Sequence, residues 1–231
     1  MKLLVLAADA REFGGVLAHA RHARSAEAGA DWARSAVLGG YDLFLVANGA
    51  GPARAAAALD RAVLVCRPDA IISTGFCGAL DEHLGVASIV LATEVIGANG
   101  RFNALAPAVS PPHHSGVVLT IDHIAQSAAE KRSLRRTGAA AVDMEAAAVA
   151  GRSAALGLPY YCIRAVTDLA GEDLANDLNA ALRPDGHFDT MKILGSILGR
   201  PLARLPELLR LRSRSVRAAR ALGDFIADCR F

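Results

Sequence analysis

Short apolar runs alternate along this chain with longer alanine-rich stretches of helical periodicity. The runs at 3–7, 42–47, 70–74, 86–92, 117–121, 139–142 and 160–166 read as buried strands. Helical patterning falls at 52–66, 127–136, 144–156, 174–182 and 187–198. Pro52 suits a first helical turn and Arg67-Pro68 stops that helix, while Gly157 and Pro159 close the one before the last strand. This alternation predicts an α/β fold whose first strand begins at the N-terminus, where an acid, Asp9, arrives too soon for a secretory leader. Residues 97–116 break the pattern: they are rich in Gly and Pro, include His113-His114, and predict a mobile loop or lid.

Length and composition narrow the class. With 231 residues, 53% of them hydrophobic, the chain supports one sizeable domain. No apolar run reaches the roughly 18–20 residues of a spanning helix, so the expectation is a soluble cytoplasmic body. Cys66, Cys77, Cys162 and Cys229 show neither C-x-x-C spacing nor a disulfide framework, which fits a reducing compartment. A net charge of +2 argues against a nucleic-acid binder, but it hides an asymmetry. Residues 200–230 hold eight arginines against Glu207, Asp224 and Asp228, so the tail carries +5 and the body −3. Leu205, Leu208, Leu209, Val216, Ala219, Leu222, Phe225 and Ile226 give that tail a helical apolar stripe. A catalytic domain at 1–199 and a basic amphipathic helical tail at 200–231 are therefore expected. The tail packs on the domain or on a partner subunit, or else rests on an anionic membrane.

In open α/β sheets, ligands gather at the carboxyl ends of strands. Those ends here carry Asp9-Ala10-Arg11-Glu12, Asn48-Gly49-Ala50-Gly51-Pro52, Gly75-Phe76-Cys77-Gly78, Asp143-Met144-Glu145 and Thr167-Asp168. Glu145 in a first helical turn ordinarily does no more than stabilise the helix dipole. A second acid one βαβ unit later, Asp168, makes a shared pocket the sharper reading. The glycine turns let a ligand approach backbone N–H groups, yet they are not a G-x-G-x-x-G fingerprint, and no P-loop is present. His19-x-x-His22 has a helical spacing that suits a metal, but no acid or cysteine stands in register, so no metal is expected.

Glu12, Ser73-Thr74-Gly75, Val142-Asp143-Met144-Glu145 and Arg164-Ala165-Val166-Thr167-Asp168 together resemble the nucleoside phosphorylase/nucleosidase superfamily. Within it the chain is most similar to the methylthioadenosine/S-adenosylhomocysteine nucleosidases, and from Leu182-Arg183-Pro184-Asp185-Gly186 onward to hopanoid-associated phosphorylases. The resemblance spans about residues 1–198. It implies a three-layer αβα sandwich with a central mixed twisted sheet, and cleavage of an N-ribosidic bond without a cofactor. By position, Glu145 resembles the carboxylate that holds the ribose 2′ and 3′ hydroxyls, and Met144 the side chain packed on the sugar. Asp168 resembles the general acid that protonates the leaving purine, Thr167 stands where a serine is usual, and Glu12 falls at the water-activating base. Cleaving a C–N glycosidic bond leaves a cationic sugar and an anionic base, so acids in contrasting environments suit it.

One departure matters. Hexameric phosphorolytic relatives carry an arginine and a serine around the Gly75 turn, where this chain has Ser73 and Phe76. Water is therefore the expected nucleophile, with Arg11 or Arg54 as replacement cations if phosphate is used. The stack on the base is open among Phe76, Phe102 and a neighbouring subunit. The expected substrate is a 5′-substituted adenosine, either small or hopanoid-linked, acted on by a homodimer or higher homo-oligomer. The alternatives are phosphorolysis of lipid-linked adenosylhopane and a non-catalytic nucleoside-binding module.

Overall fold

The first apolar run, Lys2–Ala7, forms β1, and its residues Leu3 to Leu6 are buried on both faces of the sheet. Such continuous apolarity is what a central parallel strand requires. β1 lies parallel to β4 (Tyr41–Ala47) on one side and to β5 (Ala70–Ala79) on the other. Beyond β4 an antiparallel wing adds β3 (Trp32–Leu38) and β2 (Arg21–Ser25). Beyond β5 the remaining strands are β6 (Ile89–Gly97), β7 (Gly100–Asn103), β8 (His114–Thr120), β9 (Ala141–Asp143) and β10 (Tyr160–Asp168). β10 pairs with both β5 and β6, and β6, β8, β9 and β5 pair in turn, so these five strands close a ring. The computed structural model describes residues 1–199 and 201–231, apart from the side chains of 196–199, 201 and 203. The boundary expected at 199/200 falls at Arg200, outside the described residues.

Helices cover both faces and make the expected three layers. On one face lie α2 (Pro52–Cys66) and α4 (Ala146–Leu156), packed through Ala55, Ala58, Leu59, Ala62, Val149 and Ala150. On the other lie α1 (Gly14–His19) and α7 (Pro201–Asp228), packed through Val16, Ala218, Leu222, Phe225 and Ile226. α3 (Ala128–Arg135) flanks β8 and β9, while α5 (Leu178–Ala181) and α6 (Thr190–Gly199) connect β10 to α7.

Several elements differ from the sequence pattern. β2 and β3 were not foreseen, because β2 is exposed along its whole length and β3 buries only Ala33, Ala36 and Leu38. Residues 97–116 are not a free lid: β7 hairpins onto β6, and β8 starts at His114. Between them Leu105 bridges to Tyr161, and Ala108 exchanges two 2.9 Å backbone hydrogen bonds with Arg230. The helix predicted at 174–182 shrinks to α5, since Ala175 and Asn176 give their N–H groups to Glu207 on α7. His19 and His22 share no helix, for α1 ends at His19 and His22 enters β2 at φ 56°.

The tail helix has two faces rather than one stripe. Ala219, Leu222, Phe225 and Ile226 are buried, whereas Leu205, Leu209 and Val216 are exposed. α7 crosses α1 where Gly15 meets Ala219 and Gly223, and a Cβ on either glycine would overlap the backbone of the other helix. His19 Nε2 and Asp224 Oδ1, 2.7 Å apart, close the same contact. Gly223→Ala is therefore expected to destabilise the protein by about 1–3 kcal/mol through overpacking. That corresponds to a fall of several degrees in Tm by calorimetry. An unchanged Tm would contradict the crossing.

Candidate active site

The turn from β9 into α4 carries two carboxylates with different duties. Asp143 Oδ2 accepts the Ala146 N–H at 2.9 Å. Thr120 Oγ1 accepts the Ala147 N–H at 2.9 Å and donates to Asp143 Oδ1 at 2.6 Å. These bonds satisfy amide groups that every helix start leaves without intrahelical partners. Glu145, at the cap position, makes no capping bond of its own. Its Oε1 instead accepts the Gly51 N–H at 2.8 Å, reaching across to the turn between β4 and α2. That turn is braced in its own right, because Gly49 N donates to Ala8 O and Ala50 N to Gly186 O, both at 2.9 Å.

Arg164, 1% exposed on β10, ties this turn into the sheet. Its Nε and Nη2 donate to Asp143 Oδ2 at 2.9 and 2.6 Å, and Nη2 also donates to Ser73 Oγ at 2.7 Å. Nη1 is buried with no partner among the described residues. Its charge reaches both Glu12 and Glu145 and favours their ionised forms.

Glu12 is the third residue of the 3-10 turn Ala10–Phe13, which Asp9 caps by accepting the Arg11 N–H. The buried carboxylate accepts three backbone N–H groups: Ala8 at 2.8 Å, Asp9 at 3.1 Å and Phe76 at 3.0 Å. Only glycine fits beneath it. Gly75 sits at φ 137°, and a Cβ there would stand 3.0 Å from the carboxylate oxygens. Burial pushes the Glu12 carboxyl above its ordinary range, opposed by those N–H groups and by Arg164. Burial also pushes Glu145 up, to about 8, with the neighbouring Asp143 charge adding to it.

The strand registers bring Asp168 to the same end of the sheet. Gly78 on β5 pairs with Val142 on one side and with Asp168 on the other, so Asp168 lies one strand away from the residue that precedes Asp143. A Cβ at Gly78 would meet Asp168 Oδ2 at 2.8 Å, which makes the glycine a condition of the acid's position. Lys131 Nζ, on a side chain that is 0% exposed, donates to Asp168 Oδ2 at 2.5 Å and to Leu169 O at 2.8 Å. Thr167 Oγ1 lies 3.0 Å from Asp168 Oδ1 and 3.3 Å from Cys77 O. Met144 is half-buried at the β9–α4 turn, and the Phe76 ring packs toward the core beneath α1 and α7. Two open clefts of about 590 and 520 Å³ lie past Leu169 and Ala170, and none of the three carboxylates lines them.

Lys131 and Arg164 are the residues in contact with these acids that the strand-end reading passed over. Lys131 stands three residues before Leu134, on the side of α3 that packs against β8 and β9, so its register on the helix was the available signal. Arg164 was visible only as a motif letter. Arg11 and Arg54, weighed as phosphate-binding cations, are engaged elsewhere: Arg11 pairs with Asp9 at 2.7 Å and Arg54 with Asp31 at 2.8 Å. Among the described residues, no group of three His, Cys, Asp or Glu side chains is arranged to hold a metal ion.

The raised acids make stability depend on pH with a definite sign. Glu145 holds its proton more tightly folded than unfolded, so its contribution is full below about pH 4.5 and is lost as the pH rises through about 8. Glu12 acts in the same direction. Denaturant titrations across that window should show stability falling with pH, and a shallower fall in Glu145→Gln. A steeper fall in the variant would refute the assignment.

The family model described as Phosphorylase superfamily matches residues 2–112 and 103–186. A 5′-methylthioadenosine/S-adenosylhomocysteine nucleosidase of Chromohalobacter salexigens is 25% identical over 202 residues, covering 74% of this chain and 86% of that protein. One from Colwellia psychrerythraea is 30% identical over 173 residues, covering 59% and 70%. Among solved structures, the Streptococcus pneumoniae MTA/SAH nucleosidase in complex with 8-aminoadenine aligns with a TM-score of 0.73 at 18% identity, covering 99% of this chain and 100% of that one. The futalosine hydrolase of Helicobacter pylori aligns with a TM-score of 0.74 at 14% identity, covering 99% and 96%. With a matching model across most of its length, and with this sheet and helix order, the chain belongs to the phosphorylase superfamily.

Proposed function

We propose that this protein hydrolyses the N-glycosidic bond of a purine nucleoside, a 5′-substituted adenosine, and releases adenine. The observation that carries the reading is the convergence of Glu12, Glu145 and Asp168 on one end of the sheet, each in a different polar environment. The relatives that match along the chain are nucleosidases for methylthioadenosine and S-adenosylhomocysteine, which supports the same chemistry.

As the sugar C–N bond breaks, its electron pair leaves with the purine and the sugar becomes cationic. Asp168 delivers a proton to a purine ring nitrogen, and the buried Lys131 ammonium beside it balances the carboxylate charge that this leaves. Glu145 accepts hydrogen bonds from the ribose hydroxyls while Gly51 N–H holds its other side, and Met144 packs on the sugar. Glu12 takes a proton from water as the oxygen attacks the sugar carbon, and the Arg164 charge favours the ionised carboxylate that this step needs. Thr167 keeps the Asp168 carboxylate turned toward the base, and Gly75 with Phe76 forms the floor under Glu12.

Water is favoured over phosphate because the groups that would hold an anion are taken. Ser73 Oγ accepts from Arg164, and Phe76 N–H donates to Glu12. Phosphorolysis of a lipid-linked adenosine is the reading that strict phosphate dependence would favour instead.

Adenine release from a panel of 5′-modified adenosines, with and without phosphate, tests the reaction. Free adenine should appear without phosphate, and Asp168→Asn should lower kcat by about 10²–10⁴-fold. Undiminished turnover in that variant would remove Asp168 as the acid. A second expectation concerns Glu145, whose carboxyl is raised to about 8 in the free protein. Ribose binding calls for its ionised form, so KM should fall as the pH rises toward about 8, and Glu145→Gln should abolish that dependence. A KM insensitive to pH in the unsubstituted protein would sink the ribose role.

A further inference from the structure

The outward face of α7 is built unlike the rest of the surface. At about 100° per residue, Leu202, Leu205, Leu209 and Val216 fall within an arc of about 60°. All four are exposed, at 93%, 47%, 59% and 65%. The stripe runs for about 20 Å along the helix. Directly opposite it, Glu207, Arg214, Ala218, Leu222 and Phe225 face the body of the protein. The stripe is therefore no part of the core, and α6 just before it exposes Met191 and Leu194 as well. Isolated exposed leucines need no explanation, but an aligned set on one helix face does.

Charge identifies the occupant. From Thr190 to Gly223 the sequence holds Lys192 and seven arginines, against the single acid Glu207. Glu207 is 3% exposed and is consumed inward by the N–H groups of Ala175 and Asn176. What faces solvent beside the apolar stripe is thus cationic, with Arg210, Arg212, Arg217 and Arg220 all exposed. A second copy meeting this face symmetrically would set arginine against arginine. An anionic lipid surface satisfies both features at once, since the leucines enter the acyl boundary and the arginines meet the headgroups. No described helix is long and apolar enough to cross a membrane, so the helix would lie in the interface plane.

We propose that the exposed Leu202–Val216 face of α7 is a docking surface for anionic membranes. The proposal stands apart from the nucleosidase reading, and its test needs no substrate. The full-length protein is floated with vesicles of phosphatidylcholine alone and of phosphatidylcholine mixed with phosphatidylglycerol. The original sequence is compared with Leu205→Asp/Leu209→Asp and with Arg212→Ala/Arg217→Ala. All four side chains are exposed, and circular dichroism checks that each variant folds. The original protein should float with the anionic vesicles, and added salt should weaken this. The leucine variant should lose at least about tenfold in partitioning, and the arginine variant should lose its preference for anionic over neutral vesicles. Absence of flotation, or equal flotation of the leucine variant, would overturn the proposal. So would a dimer in sedimentation that the leucine variant dissociates while neither protein binds vesicles.

Discussion

The buried pair between Arg164 and Asp143 is the interaction on which the site rests. Both side chains are essentially closed to solvent, at 1% and 0% exposure. Removing two charges from water is costly, and such a pair persists only when other groups complete its hydrogen bonding. Here Ser73, Thr120 and the Ala146 N–H do so for every group but Arg164 Nη1, and they join β5, β8, β9, β10 and the start of α4. Losing either partner would strand a buried charge, a change that typically costs about 3–5 kcal/mol. The pair also has electrostatic reach. Asp143 raises Glu145, while Arg164 holds both Glu145 and Glu12 below where burial alone would put them. One structural contact thereby shifts the ionisation of two neighbours against the larger effect of burial.

Three carboxylates within one strand-end region can do different chemistry only if their surroundings separate them. Glu12 is caged by three backbone amides, an arrangement that fixes its oxygens and leaves it able to accept a proton. Glu145 accepts one amide N–H, on Oε1, among the described residues. Asp168 alone has a buried ammonium in contact. The separation arises from backbone choices more than from side chains. Gly75 makes room for Glu12, Gly78 makes room for Asp168, and the Thr120–Asp143 pair frees Glu145 from capping α4. A side chain at either glycine would displace a carboxylate without changing any of the three acids themselves.

Much of this was legible because the chain places its acids at the ends of apolar runs. The α/β alternation and the acid-bearing strand ends follow from where hydrophobicity stops, while the αβα layering and the parts given to those acids came from the family resemblance. What escaped has physical reasons. β2 carries no buried residue, so no apolar alternation marks it. Residues 97–116 look loose by composition, yet backbone pairing with Tyr161 and Arg230 fixes them, and distant partners leave no local trace. Lys131 is hidden among charged neighbours in α3, although it is the one fully buried there. The tail stripe was read as a single face because two apolar arcs on one helix blur together when only spacing is counted.

The inner face of α7 links the tail to the acid at the end of β10. Arg214 grips Glu172 with two bonds of 2.6 and 2.9 Å and holds that carboxyl down at about 2. Glu207 takes the N–H groups of Ala175 and Asn176 and the Asn176 side-chain amide, at 2.6–2.8 Å. Both contacts fall on the segment that begins immediately after Asp168. The family match ends at residue 186, before α7 begins. A helix outside the matched region therefore anchors the loop next to the proposed proton donor. Charged bonds to main-chain amides suit that purpose, because they fix a loop that has few apolar side chains to bury. With its inner side committed in this way, the helix has only its outer side left to meet anything beyond the molecule.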